Sequence, residues 1–342
     1  MKPHKADMKT PSTNLRFTLA LLVGLGLSAV ALRAEVEDKI SKTFKVAPGG
    51  QLVVEADRGA IDLKTADVES VAIEVTRKAG GSTATATERL KKHEVNFSQD
   101  GDKVIVTAKY EGRRAGGWFG NWRDLQVNFD ITVPRNFNVD LKTAGGSIKV
   151  GALTGKAAAQ TSGGSLKFDE IEGPLTGRTS GGSINVAGCK GSVDVRTSGG
   201  SISLGSVDGD VAAHTSGGSI TVKNLAGKAV VKTSGGSINV SEVKGQIEAG
   251  TSGGGVNVTL LEPPSGDCSF KTSGGSVNVT LGETLAVDVD ARTSGGRVIS
   301  DLPVVSVIQG EQKKNELRGK INGGGPLITA YTSGGNVHLK KK

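Results

Sequence analysis

The sequence predicts an all-β protein whose main part is a parallel β-solenoid, in which successive turns of the chain stack into one coiled sheet. Three observations predict this fold. A Thr-(Ser/Ala)-Gly-Gly motif recurs, mostly every 18 residues; apolar and polar residues alternate between its copies; and a second, single glycine recurs with the same spacing. Together they indicate about nine or ten short coils, preceded by an antiparallel β layer that acts as a cap.

Residues 1–34 have the pattern of a secretory signal peptide. Basic residues precede an apolar run at 17–32, and cleavage is expected after Ala31 or Ala34. The run is short for a membrane span, so an uncleaved anchor is the weaker alternative. We therefore expect an exported protein that is periplasmic, held at the outer surface or secreted.

Residues 35–134 lack the repeat and are expected to form an N-terminal β-rich capping region. Apolar residues alternate with polar ones at 71–75 and 125–133. A cap is needed because the end of a solenoid exposes an unpaired coil. A short helix is expected near 85–93, and residues 59–63 resemble a degenerate coil.

One loop of this region, residues 112–123, holds both tryptophans of the chain. Its aromatic rings and guanidinium groups suit contact with sugar rings or with a lipid surface, so it is a candidate glycan or membrane loop. The alternative is a hairpin tip that folds back against the N-terminal layer. The residues concerned are Arg113, Arg114, Trp118, Phe119, Trp122 and Arg123.

Residues 135–342 form the predicted repeat domain, with an insertion around 299–320. The first six intervals between the repeated threonines are 18 residues, the next two are 21 and the last is 39. The ten threonines are Thr143, Thr161, Thr179, Thr197, Thr215, Thr233, Thr251, Thr272, Thr293 and Thr332.

Each unit contains two short strands, and neither can bury its apolar face alone. In one unit Ile202 and Leu204 share a face, as do Val211 and Ala213. Stacking pairs equivalent strands in parallel, about 4.8 Å apart, and closes a common core. Thr215 shares the face of Val211 and Ala213, so we expect the threonine to point inward and to bond to backbone. An ice-binding array of outward hydroxyls is therefore disfavoured.

Glycines mark the two corners of each coil. Pairs such as Gly181 and Gly182 follow each threonine, and single glycines such as Gly191 and Gly209 mark the second corner. We expect these positions to require positive φ or a close approach between coils.

The two cysteines stand at core positions of the repeat. Cys189 occupies the place of Leu225 in its unit, and Cys268 that of Ile247. Their coils are about four apart, roughly 19 Å along the axis, which is too far for a disulfide. Both are predicted to be free, buried thiols.

The residue before each repeated threonine is expected to point outward, and stacking aligns these residues from coil to coil. Carboxylates two residues earlier, such as Asp194 and Glu248, offset part of the charge, so a mixed-charge solvated face is the alternative to a polyanion-binding ladder. The row reads Lys142, Gln160, Arg178, Arg196, His214, Lys232, Gly250, Lys271, Arg292 and Tyr331. The candidate ladder within it is Lys142, Arg178, Arg196, His214, Lys232, Lys271 and Arg292.

No catalytic, cofactor-binding or metal-binding residues are expected. The four histidines are scattered over the chain, and no Gly-x-Ser-x-Gly elbow joins a strand to a helix. Polysaccharide-active β-helix enzymes are the catalytic alternative. They need clustered carboxylates, whereas pairs such as Asp208 with Asp210 occur once.

The repeated Thr-Ser-Gly-Gly-Ser-Ile-x-Val units, the β-rich segment before them and the final unit at 331–337 carry a family resemblance. The chain resembles a bacterial family of putative adhesins, a domain of unknown function. The resemblance implies a β-solenoid at the cell envelope without catalytic residues. The chain is also similar in outline to bactofilins, which are polymerising β-helix scaffolds that usually lack a signal peptide.

The net charge of +8 favours acidic partners. We expect an acidic polysaccharide, lipopolysaccharide or a membrane surface, and no nucleic acid. A monomer is expected, because the last strand ends in three lysines, residues 340–342, which would discourage strand addition at an exposed edge. Self-association into an envelope scaffold is the alternative.

Overall fold

The computed structural model describes residues 34–111, 124–306 and 313–342. The predicted signal peptide lies outside the described residues up to position 33. Residues 34–342 form one compact unit. Its strands belong to two long sheets, one of 15 strands and one of 14, called here the first and the second sheet.

The N-terminal part of this unit contains seven strands and one helix. They are β1 (Ala34–Lys45), β2 (Gln51–Ala56), β3 (Ala60–Ala66), β4 (Ser70–Gly81), α1 (Thr83–Lys91), β5 (His93–Asp100), β6 (Lys103–Tyr110) and β7 (Leu125–Pro134).

The repeats contribute strands alternately to the two sheets. Those of the second sheet are β8 (Asn138–Thr143), β11 (Ala157–Thr161), β13 (Leu175–Arg178), β15 (Val193–Arg196), β17 (Val211–His214), β19 (Ala229–Lys232), β21 (Ile247–Thr251), β23 (Cys268–Thr272), β25 (Val287–Thr293), β27 (Glu316–Ile321) and β28 (Leu327–Thr332). Those of the first sheet are β9 (Ile148–Val150), β10 (Leu153–Thr154), β12 (Leu166–Glu172), β14 (Ile184–Cys189), β16 (Ile202–Val207), β18 (Ile220–Leu225), β20 (Ile238–Val240), β22 (Val256–Leu260), β24 (Val277–Leu281), β26 (Val298–Ser300) and β29 (Val337–Lys341).

Equivalent residues of successive repeats lie side by side, as the 18-residue spacing predicts. Ile202 pairs in parallel with Ile184 on one side and Ile220 on the other. In the second sheet Val211 lies between Val193 and Ala229. These inward residues are at most 3% exposed, so the two sheets enclose one continuous apolar core. The predicted parallel β-solenoid is confirmed.

The N-terminal region caps this core and also lengthens it. The expected antiparallel pairing joins β1 to β4, β4 to β7 and β5 to β6. The solenoid continues through β2 and β3, which pair in parallel with β8 and β9. These two strands form the additional coil that the pattern of residues 59–63 predicts. Helix α1 lies where the sequence predicts a helix, and the Ser82 side chain accepts a hydrogen bond from the Thr85 N–H at its start.

A hydrogen-bonded corner joins each coil to the next. The Thr197 hydroxyl donates to the Gly182 carbonyl of the neighbouring coil at 2.8 Å and accepts from the Gly200 N–H of its own coil at 3.4 Å. All ten repeated threonines donate to such a carbonyl, at 2.6–2.9 Å, and all are at most 8% exposed. The inward orientation expected for the threonines is confirmed.

The second glycine of each motif is required by close approach between coils. A Cβ on Gly200 would lie 2.1 Å from the Gly182 carbonyl oxygen, far inside van der Waals contact. None of the ten second glycines has φ in the left-handed region. Of the two reasons expected for these glycines, close approach therefore applies and positive φ does not.

The serine that ends the motif adds a further bond between coils. The Ser201 N–H donates to the Ser183 hydroxyl at 3.2 Å, and the same bond recurs at neighbouring coils. Each corner thus links neighbouring coils through a part-buried threonine bond and an exposed serine bond.

The last coil in the sequence is not the last in space. Strands β28 and β29 lie between β23 and β25 and between β24 and β26, respectively. The expectation that the lysine-rich last strand forms a sheet edge is therefore wrong. Both of its sides are paired, and β26 and β27 form the edges at this end.

Both cysteines are buried and free, as predicted. Burial, with a smaller effect of the Glu170 carboxylate, raises the pKa of the Cys189 thiol to about 11. The Cys189 thiol lies 3.4 Å from the Gly173 carbonyl, to which it can donate. Both features indicate a packing role.

His93 is a buried polar residue of the N-terminal part that the sequence pattern does not reveal. It is 1% exposed, and neither ring nitrogen has a hydrogen-bond partner among the described residues. Its Nε2 lies 4.0 Å from an Asp57 carboxylate oxygen. Burial lowers the pKa of His93 to about 4; Asp57 opposes this change, while Arg77 and Arg58 add to it.

We predict that alanine is tolerated far better at Gly163 than at Gly164. A Cβ at Gly164 would lie 2.1 Å from the Gly146 carbonyl oxygen, whereas at Gly163 the nearest atom is 3.7 Å away. Gly164→Ala should cost roughly 3 kcal/mol or more, because the coils must separate locally. Thermal unfolding of the two variants compares them directly. Equal unfolding midpoints would contradict the close-approach explanation.

A second prediction concerns the threonine hydroxyl. Thr197→Val keeps the side-chain shape but leaves the Gly182 carbonyl and the Gly200 N–H without their partner, which should cost about 1–3 kcal/mol. Ser198→Ala is the control, because Ser198 is exposed and should change stability by less than about 0.5 kcal/mol. Denaturant unfolding followed by circular dichroism measures both. The idea fails if the valine variant is as stable as the alanine control.

The third prediction is acid sensitivity that depends on His93. The pKa of His93 is lower in the folded than in the unfolded chain. Above about pH 6.5 His93 is neutral in both states, so its titration does not change the free energy of unfolding there. Stability is then lost as the pH falls towards 4, by up to about 3 kcal/mol. His93→Phe should flatten the stability curve between these pH values, whatever its effect at neutral pH. An unchanged slope in the variant would show that other groups cause the acid sensitivity.

Candidate binding surfaces

The predicted outward row of the second sheet exists as an aligned row. Arg196 lies between Arg178 and His214, and Lys232 follows on the next strand. One detail of its order differs from the sequence: Tyr331 lies between Lys271 and Arg292, because β28 is inserted before β25. Glu55 extends the row beyond Lys142, and Glu316 ends it beyond Arg292.

Most cations of this row are paired with carboxylates. The Arg196 guanidinium lies 3.0 Å from Asp194, and the Lys232 ammonium 2.8 Å from Glu248. A hydrogen bond from Lys232 lowers the pKa of Glu248. The remaining pairs are Lys142 with Glu55 and Asp140 at 3.4 Å, Arg178 with Asp194 at 3.7 Å, and Arg292 with Asp290 at 2.6 Å and Glu316 at 3.6 Å. In this geometry the row is a mixed-charge surface.

Two members of the row differ from this pattern. Lys271 has no ion pair within 4.0 Å among the residues that the structure describes, and its neighbour Tyr331 is 37% exposed. Burial, followed by the charges of Arg196 and Lys232, lowers the pKa of His214. His214 is therefore neutral at neutral pH and adds no charge to the row.

A row of serines runs along the corner beside these cations. These serines hold the second position of the motif and are all exposed; seven of them make no side-chain hydrogen bond to any described residue, and the last two contact the Tyr331 hydroxyl. The first coil has Ala144 at this place, so the turn does not require the hydroxyl. The row is Ser162, Ser180, Ser198, Ser216, Ser234, Ser252, Ser273, Ser333 and Ser294. The repeat pattern alone does not distinguish these serines from residues that the turn requires; Ala144 is the signal in the sequence that does.

One outward row of the first sheet is uncharged over six coils. The Asn257 amide donates to Asn239, and Asn278 donates to Asn257, both at 2.9 Å. These bonds fix the amides in one ladder along the sheet. The full row is Asn185, Ser203, Thr221, Asn239, Asn257 and Asn278.

The predicted glycan or membrane loop, residues 112–123, lies outside the described residues. Its sequence contributes three arginines to the net charge of the chain. Without residues 1–34 the protein has 37 Lys and Arg against 33 Asp and Glu, a net charge of +4. Three of these four surplus charges correspond to the loop arginines Arg113, Arg114 and Arg123.

The described parts of the chain offer neither a cluster of metal ligands nor a helical membrane span. They contain no group of three or more His, Cys, Asp and Glu side chains that could hold a metal ion. None of the helices in these parts is long and apolar enough to cross a membrane.

Comparison with known proteins gives a matching family model and several solved structures of low similarity. The family model described as Toastrack DUF4097 matches residues 59–340. A putative adhesin from Parabacteroides distasonis ATCC 8503 is 12% identical, with 88% of this chain and 97% of that chain covered and a TM-score of 0.40. A putative adhesin from Parabacteroides merdae ATCC 43184 is 10% identical, with 88% and 95% covered and a TM-score of 0.40. A putative adhesin from Bacteroides fragilis NCTC 9343 is 12% identical, with 89% and 97% covered and a TM-score of 0.33. No curated protein matches the chain.

Proposed function

The chain belongs to the Toastrack DUF4097 family, and we propose that it is an exported, non-catalytic, adhesin-like protein of the bacterial envelope or surface. Its proposed ligand is an anionic glycan or another acidic envelope polymer, such as an acidic polysaccharide or lipopolysaccharide. The polymer is proposed to lie along the coils, across the cation row of the second sheet and the serine row beside it.

The observation that carries this proposal is the alignment of equivalent outward positions over ten strands. Neighbouring strands of a sheet are about 4.8 Å apart, so the six lysines and arginines of the row are separated by short multiples of this spacing. A polymer presents its own groups at regular intervals and can engage several coils at once. Several weak contacts on one chain then add to a useful affinity.

The two neighbouring rows suit the two kinds of group in an acidic glycan. Lysine and arginine bind carboxylates and phosphates, and the exposed serine hydroxyls can donate to and accept from sugar hydroxyls. The serine hydroxyls are free of partners within the described residues over seven coils.

The ion pairs of the row lower its affinity for a polyanion without preventing binding. The cations are 44–55% exposed in their side chains, and exposed pairs contribute only about 0–1 kcal/mol each. A ligand carboxylate can therefore replace Asp194 or Glu248 at small cost. The arginines and aromatic rings of residues 112–123 are proposed as a second contact, with sugar rings or with a membrane surface.

End-to-end assembly into a scaffold has weaker support from the sheet ends. Further coils would have to add as parallel strands. Strands β1 and β5 at one end and β27 at the other run antiparallel to their neighbours, and the parallel edge strand β26 has three residues. These edges do not continue the coil pattern.

The test is binding of the mature protein to polygalacturonate and lipopolysaccharide at low and high salt. Arg196→Glu with Lys232→Glu should weaken binding roughly tenfold, about 1.4 kcal/mol, and reduce its salt dependence. Lys190→Glu with Lys244→Glu is the matched control, since these lysines are also exposed and ion-paired but lie outside the row.

Removing the carboxylates of the row tests the same surface, with an increase in affinity as the expected result. Asp194→Asn with Glu248→Gln removes the internal partners of Arg178, Arg196 and Lys232, so binding of the acidic polymers should become several-fold tighter. Unchanged binding in both pairs of variants, or an equal loss in the control, would refute the ladder.

A further inference from the structure

The order of the last two coils in space is the reverse of their order in the sequence. The outer coil, residues 287–300, contains β25 and β26. The C-terminal coil, residues 327–341, contains β28 and β29 and lies beneath the outer coil, against β23 and β24. The outer coil thus leaves a slot one coil wide, which a later part of the chain fills.

The two coils are interchangeable in the bonds that hold them. Thr332 donates to the Gly275 carbonyl at 2.6 Å, and Thr293 donates to the Gly335 carbonyl at 2.7 Å. Their inward residues also correspond, with Ala330 paired to Ala291. The slot therefore accepts a Thr-Ser-Gly-Gly coil whether that coil belongs to the same chain or to a second copy.

A short glycine-rich hinge connects the C-terminal coil to the rest of the chain. In the hinge, residues 322–326, Gly323 has φ 92° and Gly324 has φ 90°, a conformation that glycine adopts readily. The Asn322 side chain donates to the Glu283 and Leu285 carbonyls at 2.8 and 3.0 Å. Opening the hinge breaks few contacts compared with those that hold the coil in the slot.

We propose that the slot also accepts the C-terminal coil of a second copy of this chain, which gives a two-fold symmetric dimer with exchanged C-terminal coils. Every bond in the slot is the same in the monomer and in the exchanged dimer. The balance between them is set by the hinge and by protein concentration. Exchange requires that the outer coil is not yet closed, so it takes place during folding at high concentration.

The dimer differs from a filament in a way that can be measured. Each copy gives one coil and receives one, so the assembly closes at two copies and does not grow. The inference is independent of polymer binding, because the hinge and the slot contacts do not include Arg196, Lys232 or the loop at 112–123.

Engineered cysteines test the exchange directly. Ser269 and Thr329 are paired neighbours on β23 and β28, within the slot. In a background with valine at both native cysteines, one protein carries Ser269→Cys and a second carries Thr329→Cys. The two are unfolded together, refolded at high concentration and treated with a short thiol-bridging reagent. A protein with both substitutions is the control for bridging within one chain.

Exchange predicts a species of doubled mass that contains one chain of each kind. As a control, the Thr329→Cys protein is mixed with a protein that carries Thr176→Cys. Thr176 lies in the same outward row as Ser269 but outside the slot, so this mixture should give no bridged dimer. A variant without Gly323, Gly324 and Gly325 should shift from monomer to dimer in light scattering, because its two remaining hinge residues must be fully extended to cross the two strand spacings, about 9.6 Å, from β27 to β28. The proposal is overturned if the double variant bridges within one chain while the mixed proteins form no bridged dimer, or if the hinge-shortened protein stays monomeric.

Discussion

The contact between stacked corners is the constraint on which the rest of the structure depends. Adjacent coils approach so closely at the second glycine of each motif that a Cβ there would lie 1.9–2.3 Å from a backbone carbonyl oxygen. The same carbonyl accepts the threonine hydroxyl, so one point both excludes a side chain and supplies the bond between coils. Because every coil repeats this corner, the apolar residues between corners meet their equivalents in register and form one core.

Fixing the inside of the coil in this way leaves the outward positions free to vary. Inward positions of the repeats hold threonine, glycine, cysteine and apolar residues, whereas outward positions of neighbouring coils differ in charge and size. The second sheet has a row of paired charges, the first sheet has a row of amides and hydroxyls, and the corner between them has exposed serine hydroxyls. One apolar interior therefore carries three different outward rows.

Much of this fold could be predicted from the sequence, because the repeat period and the alternation of apolar residues are local signals. They predicted the coils, the inward Thr215, and the burial of Cys189 and Cys268. The order of the last two coils could not be predicted, since both carry the same motif and either fits on the coil before them. The pairing of Arg196 with Asp194 also depends on side-chain positions that spacing alone does not give. The sequence predicted carboxylates near that row, and the structure adds that they pair with most of its cations.

Distances between spin labels on the exposed corner serines test the stacked arrangement most directly. With one label at Ser162 in a protein lacking its native cysteines, a second label at Ser252 or Ser273 should lie about 24 or 29 Å away, a constant step of about 4.8 Å per coil. The step should continue to Ser333, at about 34 Å, and then to Ser294, at about 38 Å. Unequal steps, or Ser294 nearer to Ser162 than Ser333 is, would contradict the stacking of these coils.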